Sequence, residues 1–154
     1  MAICITGSGS YIPEIVKKNK DFLENPFLNS DGSSFDFSND VIIKKFQSIT
    51  GITERRYAKK ELNTSDLAFF ASKKAIDDSK IDKETIDYII VAHNFVDVRH
   101  NKKQSDLLPS LASRVKNKLE ILNPNCICYD LIFGCPGWIE GVIHAQAFIK
   151  AKMA

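Results

Sequence analysis

"YDLIFGCPGWIEG", residues 129–141, decides the fold class. With the residues before it, "NCICYDLIF" makes a mainly apolar run of strand length, the mark of a strand buried on both faces. From Gly137 to Met153 the pattern turns helical. Pro136 is suited to the first position of that helix, which would set Cys135 at its cap. A thiol there faces unpaired backbone N–H groups and the positive end of the helix dipole, and both favour thiolate. The same amides suit an oxyanion on a carbonyl attacked by sulfur. From these residues alone Cys135 is either a nucleophile or a small packed thiol. Gly137, Gly141 and Ala145 follow at four-residue spacing, a ridge nearly free of side chains, flanked by Trp138, Val142 and Ile149. Such a ridge predicts a central, buried helix approached closely by another helix.

Working outward, "DYIIVA" at residues 87–92 is a second buried strand. Between the two strands, "LPSLASRVKNKLEI" predicts a helix with Pro109 at its first position and Leu111, Val115 and Leu119 on one face. Before them, "TSDLAFFASKKAIDDSKI" predicts a helix capped by Thr64 or Ser65, with Asp66 favourably placed in its first turn. "DVIIKKFQSITG" predicts another, with Asn39 or Asp40 capping its start, Ile42, Phe46 and Ile49 on one face and Gly51 ending it. "AICIT" reads as a strand entering the turn Gly7-Ser8-Gly9-Ser10. That turn is not a nucleotide loop, since Ile12 occupies the third glycine position and Pro13 follows. Residues 25–39 read as an exposed loop and "ITERRYAKKELN" as a polar connection. Helices between buried strands imply parallel pairing through right-handed crossovers, and so an α/β layer fold.

The 154 residues suit one domain, with 44% hydrophobic residues to fill a core. A net charge of +2 gives no reason to expect nucleic acid or an acidic membrane as partner. The basic cluster "RHNKKQ" has no interleaved aromatics and reads as a solvated loop. The start lacks the charged and apolar regions of a signal peptide, and no run is long enough to span a bilayer. Four cysteines without framework spacing then point to free thiols in a reducing cytoplasm. Cys126 and Cys128 read as packed core thiols, with no histidine or second pair to complete a zinc site.

Six pieces, "ITGSGSYIPE", "ITGITERRYA", "TSDLAFFASKKAI", "IDYIIVA", "DLLPSLASRVKNKL" and "YDLIFGCPGWIEG", together resemble the N-terminal half of a β-ketoacyl-acyl-carrier-protein synthase III, of the thiolase superfamily. The resemblance implies a thiolase-like α/β fold with a largely parallel sheet and a buried helix carrying the cysteine. Residues 1–154 would be its N-terminal domain, without the C-terminal repeat. It implies that Cys135 takes an acyl group from acyl-CoA, its own N–H forming part of the oxyanion hole. The acyl enzyme then condenses with malonyl-acyl-carrier protein, losing carbon dioxide, as in fatty-acid or polyketide-type synthesis. No permanently bound cofactor or metal is implied. Leu108 matches a position that reaches toward the partner subunit's acyl tunnel, so the expected partners are acyl carrier protein and a second copy in a homodimer.

Two departures stand out. Lys45 and Ile49 fall where the family often has a tryptophan and an arginine gripping coenzyme A. The family's catalytic histidine and asparagine lie in its second half, leaving His93, His100 and His144 as local candidates. His93 ends a buried strand, His100 lies in a polar loop, and His144 is about 13 Å along the helix from Cys135. The competing reading is a non-catalytic structural or interaction subunit that assembles with a separate C-terminal chain, suggested by the small-residue ridge.

Overall fold

The computed structural model describes residues 3–154. The chain divides into two compact units, one of residues 12–59 and one of residues up to Tyr11 together with Lys60–Ala154.

In the smaller unit, β1 (Ile15–Lys18) pairs antiparallel with β2 (Glu54–Tyr57), Ile15 opposite Tyr57. This ribbon was not foreseen. Almost all of its residues are exposed on both faces, so "ERRY" shows none of the apolar alternation that betrays a half-buried strand. α1 (Asn39–Thr50) begins after Ser38, so Asn39 and Asp40 lie inside it rather than at its cap, and it ends at Gly51, whose φ of 68° is the left-handed geometry glycine adopts freely. Ile42 is buried, but Phe46 and Ile49 are 45% and 69% exposed, so the predicted apolar face is only partly covered. Residues 25–38 form the expected exposed loop, closed by one bridge between Leu28 and Ser34, while Asn39 already opens α1.

The larger unit holds the parallel pair. β3 (Tyr88–His93) lies beside β4 (Ile127–Ile132), Ile90 opposite Tyr129 and His93 opposite Ile132. Alternation along the strands sorts their side chains. Ile89, Val91 and Cys128 pack toward Val115 of α3 (Leu111–Lys118) and Leu119, which caps its end. Tyr88, Ile90 and Ala92 face α4 (Gly137–Lys150) on the other side. The expected α/β architecture is therefore present, with two strands of β3–β4 type rather than a wider sheet among the described residues. "AICIT" forms no strand over residues 3–6, and Ala2 lies outside the described residues.

The Gly7–Gly9 turn has a packing reason. A side chain at Gly7 would fall 2.6 Å from the Ala75 carbonyl and from Ser79, both on α2 (Thr64–Ser79). The turn is held there by Asp78 accepting from the Ser8 amide at 2.9 Å and by Lys74 donating to the Ser10 carbonyl at 2.9 Å.

Three further expectations need correcting. Pro109 is not the first residue of α3; it precedes Ser110, whose hydroxyl accepts from the Ser113 amide and caps the helix. Asn63, not Thr64 or Ser65, precedes α2, and its amide donates to Asp66 Oδ2 at 2.8 Å. α4 is not a buried helix: only Gly137 is buried, while Trp138, Ile139 and Ile143 are 70%, 56% and 49% exposed. Its small residues instead let α4 approach its own strand. A Cβ on Gly137 would sit 3.2 Å from those of Ala92 and Phe133, and one on Gly141 3.9 Å from Ile90.

Asp66 also ties α2 to α3 through Lys118 at 2.7 Å. Burial alone raises its pKa, but the Lys118 and Asn63 hydrogen bonds and the Lys118 charge outweigh that and hold it below the ordinary value. A depressed carboxylate stabilises above its unfolded pKa, and that stabilisation is lost as pH falls through the folded value. Below about pH 4 wild-type protein should therefore lose stability that Asp66→Asn lacks already, read as converging urea midpoints in acid. Midpoints that stay parallel down to acid would contradict it.

Candidate active site

β4 delivers the chain to the turn Phe133-Gly134-Cys135-Pro136, and the Phe133 amide donates to the His93 carbonyl at 3.1 Å as the ladder ends. Pro136, with φ −83° and ψ 8°, is the residue before the first helical position. Cys135 thus stands one position ahead of the cap rather than on it. Proline takes the cap because the Gly137 amide turns back to the Gly134 carbonyl at 2.9 Å, tightening the entry by one residue. The amides of Ile139 and Glu140 both reach the Pro136 carbonyl, whereas those of Cys135 and Trp138 find no backbone acceptor among the described residues. Cys135 is exposed, not a packed thiol. An accessible sulfur beside free amides at the carboxyl end of a parallel strand can attack a carbonyl and hold the resulting oxyanion.

The other cysteines differ from it. Cys4 is exposed, Cys126 is buried, and Cys128 is half-buried with its thiol 3.8 Å from the Cys126 carbonyl. Burial, and then the neighbouring Cys126, push the Cys128 thiol up to about 11. A chromogenic disulfide reagent at neutral pH should therefore titrate Cys4 and Cys135 rapidly and the other two only on unfolding. Four equally fast thiols in the folded chain would contradict this.

Among the described residues no histidine is hydrogen-bonded to Cys135. His93 is buried, and the strand alternation turns its ring to the α3 face, away from α4. Its Nε2 lies 3.2 Å from Asp130 Oδ2, yet off the line a hydrogen bond needs, so both ring nitrogens lack a partner among the described residues. Asp130 is engaged elsewhere: its two oxygens accept from the amides of Leu111 and Ala112 at 2.7 and 2.8 Å. His144 is occupied by Tyr129, whose hydroxyl is 3.1 Å from its Nδ1 on the α4 face. Burial, and then Tyr88, raise the pKa of that hydroxyl. His100 lies in an exposed segment.

Leu108 is 82% exposed, on the arm that leads into α3, so neither it nor Cys135 is buried against the other. Lys45 and Ile49 both line an open apolar groove of about 320 Å³ with Phe35, Phe37 and Phe46 in the smaller unit. Two groups escaped the sequence reading: Asp130, and the set Ser65, Asp97 and Arg114. An acid in the middle of an apolar strand was the available signal for the first. Among the described residues no cluster of His, Cys, Asp and Glu could hold a metal ion, and no helix is long and apolar enough to cross a membrane.

No protein-family model matches the chain. It is 36% identical over 149 residues to β-ketoacyl-[acyl-carrier-protein] synthase III 1 of Vibrio parahaemolyticus, covering 97% of the chain and 40% of that protein. It is 38% identical over 146 residues to the synthase III of Clostridium acetobutylicum, covering 95% and 38%. Among solved structures, the synthase III of Thermus thermophilus matches with a TM-score of 0.73 at 34% identity, covering 97% of the chain and 39% of that one. OleA of Xanthomonas campestris matches with a TM-score of 0.70 at 22% identity, covering 94% and 37%, a likeness of fold alone. The chain spans about two fifths of the length of these relatives.

Proposed function

The chain belongs to the β-ketoacyl-[acyl-carrier-protein] synthase III family, corresponding to its N-terminal portion, and on that premise we propose that Cys135 is the nucleophile of an acyl transfer. The observation that carries this reading is the accessible thiol at the end of β4, where the amides of Cys135 and Trp138 find no backbone acceptor among the described residues. The thiolate attacks an acyl thioester such as acyl-CoA, and the Cys135 amide helps hold the tetrahedral oxyanion. Collapse expels the donor thiolate, which takes up a proton, and leaves an acyl-cysteine.

The acyl group is then condensed with malonyl-acyl-carrier protein, with loss of carbon dioxide. Residues 1–154 form the N-terminal thiolase-like domain, which takes the acyl group but does not complete the condensation by itself. With His93 turned away and His144 engaged by Tyr129, the decarboxylating groups act from outside this span. Leu108, exposed on its arm, reaches toward the acyl tunnel of the second copy in a homodimer, and acyl carrier protein is the other partner. The place of action is the cytoplasm. A second reading, a structural or interaction subunit that assembles with a separate C-terminal chain, draws on the exposed Trp138, Ile139 and Ile143 of α4.

The test is intact-mass measurement after incubation with acyl-CoA donors of increasing length. One acyl adduct should form on the wild type and none on Cys135→Ala. An unmodified wild type, or an adduct retained in Cys135→Ala, would sink the reading.

A further inference from the structure

Residues 98–109 are exposed throughout, yet both ends of this arm converge on one side chain. Arg114, on α3 and only 18% exposed, reaches it at three places. Its Nη1 is 3.1 Å from Asp97 Oδ2 at the start of the arm. Its Nη2 is 3.1 Å from Asp106 Oδ2 on the return limb. Its Nε donates to the Pro109 carbonyl at the end, at 2.8 Å. Asp97 is itself buried and fixed to α2, accepting from the Ser65 amide at 2.8 Å and the Ser65 hydroxyl at 2.7 Å. A backbone bond from the Asp106 amide to the Asp97 carbonyl at 2.9 Å closes the arm. The two residues between the Asp106 and Pro109 grips are Leu107 and Leu108, 59% and 82% exposed.

We propose that Arg114 is the positioning residue of Leu108: its guanidinium clasps Asp97, Asp106 and the Pro109 carbonyl, and so presents a fixed apolar tip from an otherwise solvated arm. A planar fork with several donors suits this task, because one lysine ammonium cannot span three acceptors so disposed. The inference rests on the reading of Leu108 as a residue of the acyl tunnel. Arg114 touches no substrate and acts only by fixing where that tip stands.

Hydrogen exchange on the full chain tests the clasp without any activity. In Arg114→Gln the Asp106 amide, which donates to the Asp97 carbonyl, should exchange roughly tenfold faster, while β3 and β4 keep their protection. Arg114→Lys should fall between the two. An unchanged Asp106 amide, or an equal loss across β3, β4 and α3, would overturn the proposal. A second readout is the chain-length profile of the acyl adduct in wild type, Leu108→Ala and Arg114→Gln. Arg114→Gln should shift the profile in the same direction as Leu108→Ala. A wild-type profile in Arg114→Gln beside a shifted one in Leu108→Ala would also overturn it. A wild-type profile in Leu108→Ala, with the arm loosened in Arg114→Gln, would overturn the tunnel role of Leu108 and leave the clasp standing.

Discussion

Asp97→Ala should lower the stability of the chain by about 3 kcal/mol or more, the range found when one member of a buried pair is removed. Asp97 is 3% exposed and Ser65 likewise, so water has little access to either. The substitution strands the Ser65 amide and hydroxyl, each about 1–3 kcal/mol when buried without a partner. It also removes one of the two carboxylates on Arg114, although Asp106 and the Pro109 carbonyl remain. That residual pairing is why the figure sits at the lower end of the range. Asp97→Asn keeps an acceptor for one Ser65 donor and should cost about half as much. Urea unfolding of the three proteins checks this. A midpoint for Asp97→Ala within error of wild type would show that the network contributes specificity of geometry but no stability.

Leu111→Ala should cost about 2–5 kcal/mol, since it empties one of the two largest fully buried side chains. Leu111 is the first residue of α3, and its amide is already fixed by Asp130, so the helix start has little freedom to collapse into the space. Leu122→Ala removes the same atoms from a side chain 84% exposed and should stay within about 0.5 kcal/mol of wild type. Equal losses for the two would contradict the assignment of the core to the face of α3 that meets β3 and β4.

The elements most legible in the sequence were those with a single dominant signal. β3 and β4 announced themselves as apolar runs, and α1 by its periodicity and by Gly51. β1 and β2 were hidden because both faces of the ribbon meet solvent, so selection for burial leaves no trace in "IVKK" or "ERRY". The strand–Cys–helix setting of the site was readable, but the cap position was not. It depends on one 2.9 Å turn from Gly137 back to Gly134, a choice between two entries that one residue's propensity does not settle. The ridge of Gly137, Gly141 and Ala145 was read correctly as a close-approach surface and given the wrong neighbour, since small residues permit a strand as readily as a helix. The Ser65, Asp97 and Arg114 set could not be seen at all. Its members are 32 and 17 residues apart, and only the folded chain brings them together.

Locating the acyl group within the chain tests the central claim most directly, because Cys4 and Cys135 are both exposed and only one is placed as a nucleophile. After incubation with an acyl-CoA and proteolysis, peptide mass spectrometry should find the acyl group on Cys135 and leave Cys4 free. Acylation of Cys4 to the same extent, or at no cysteine, would contradict the account.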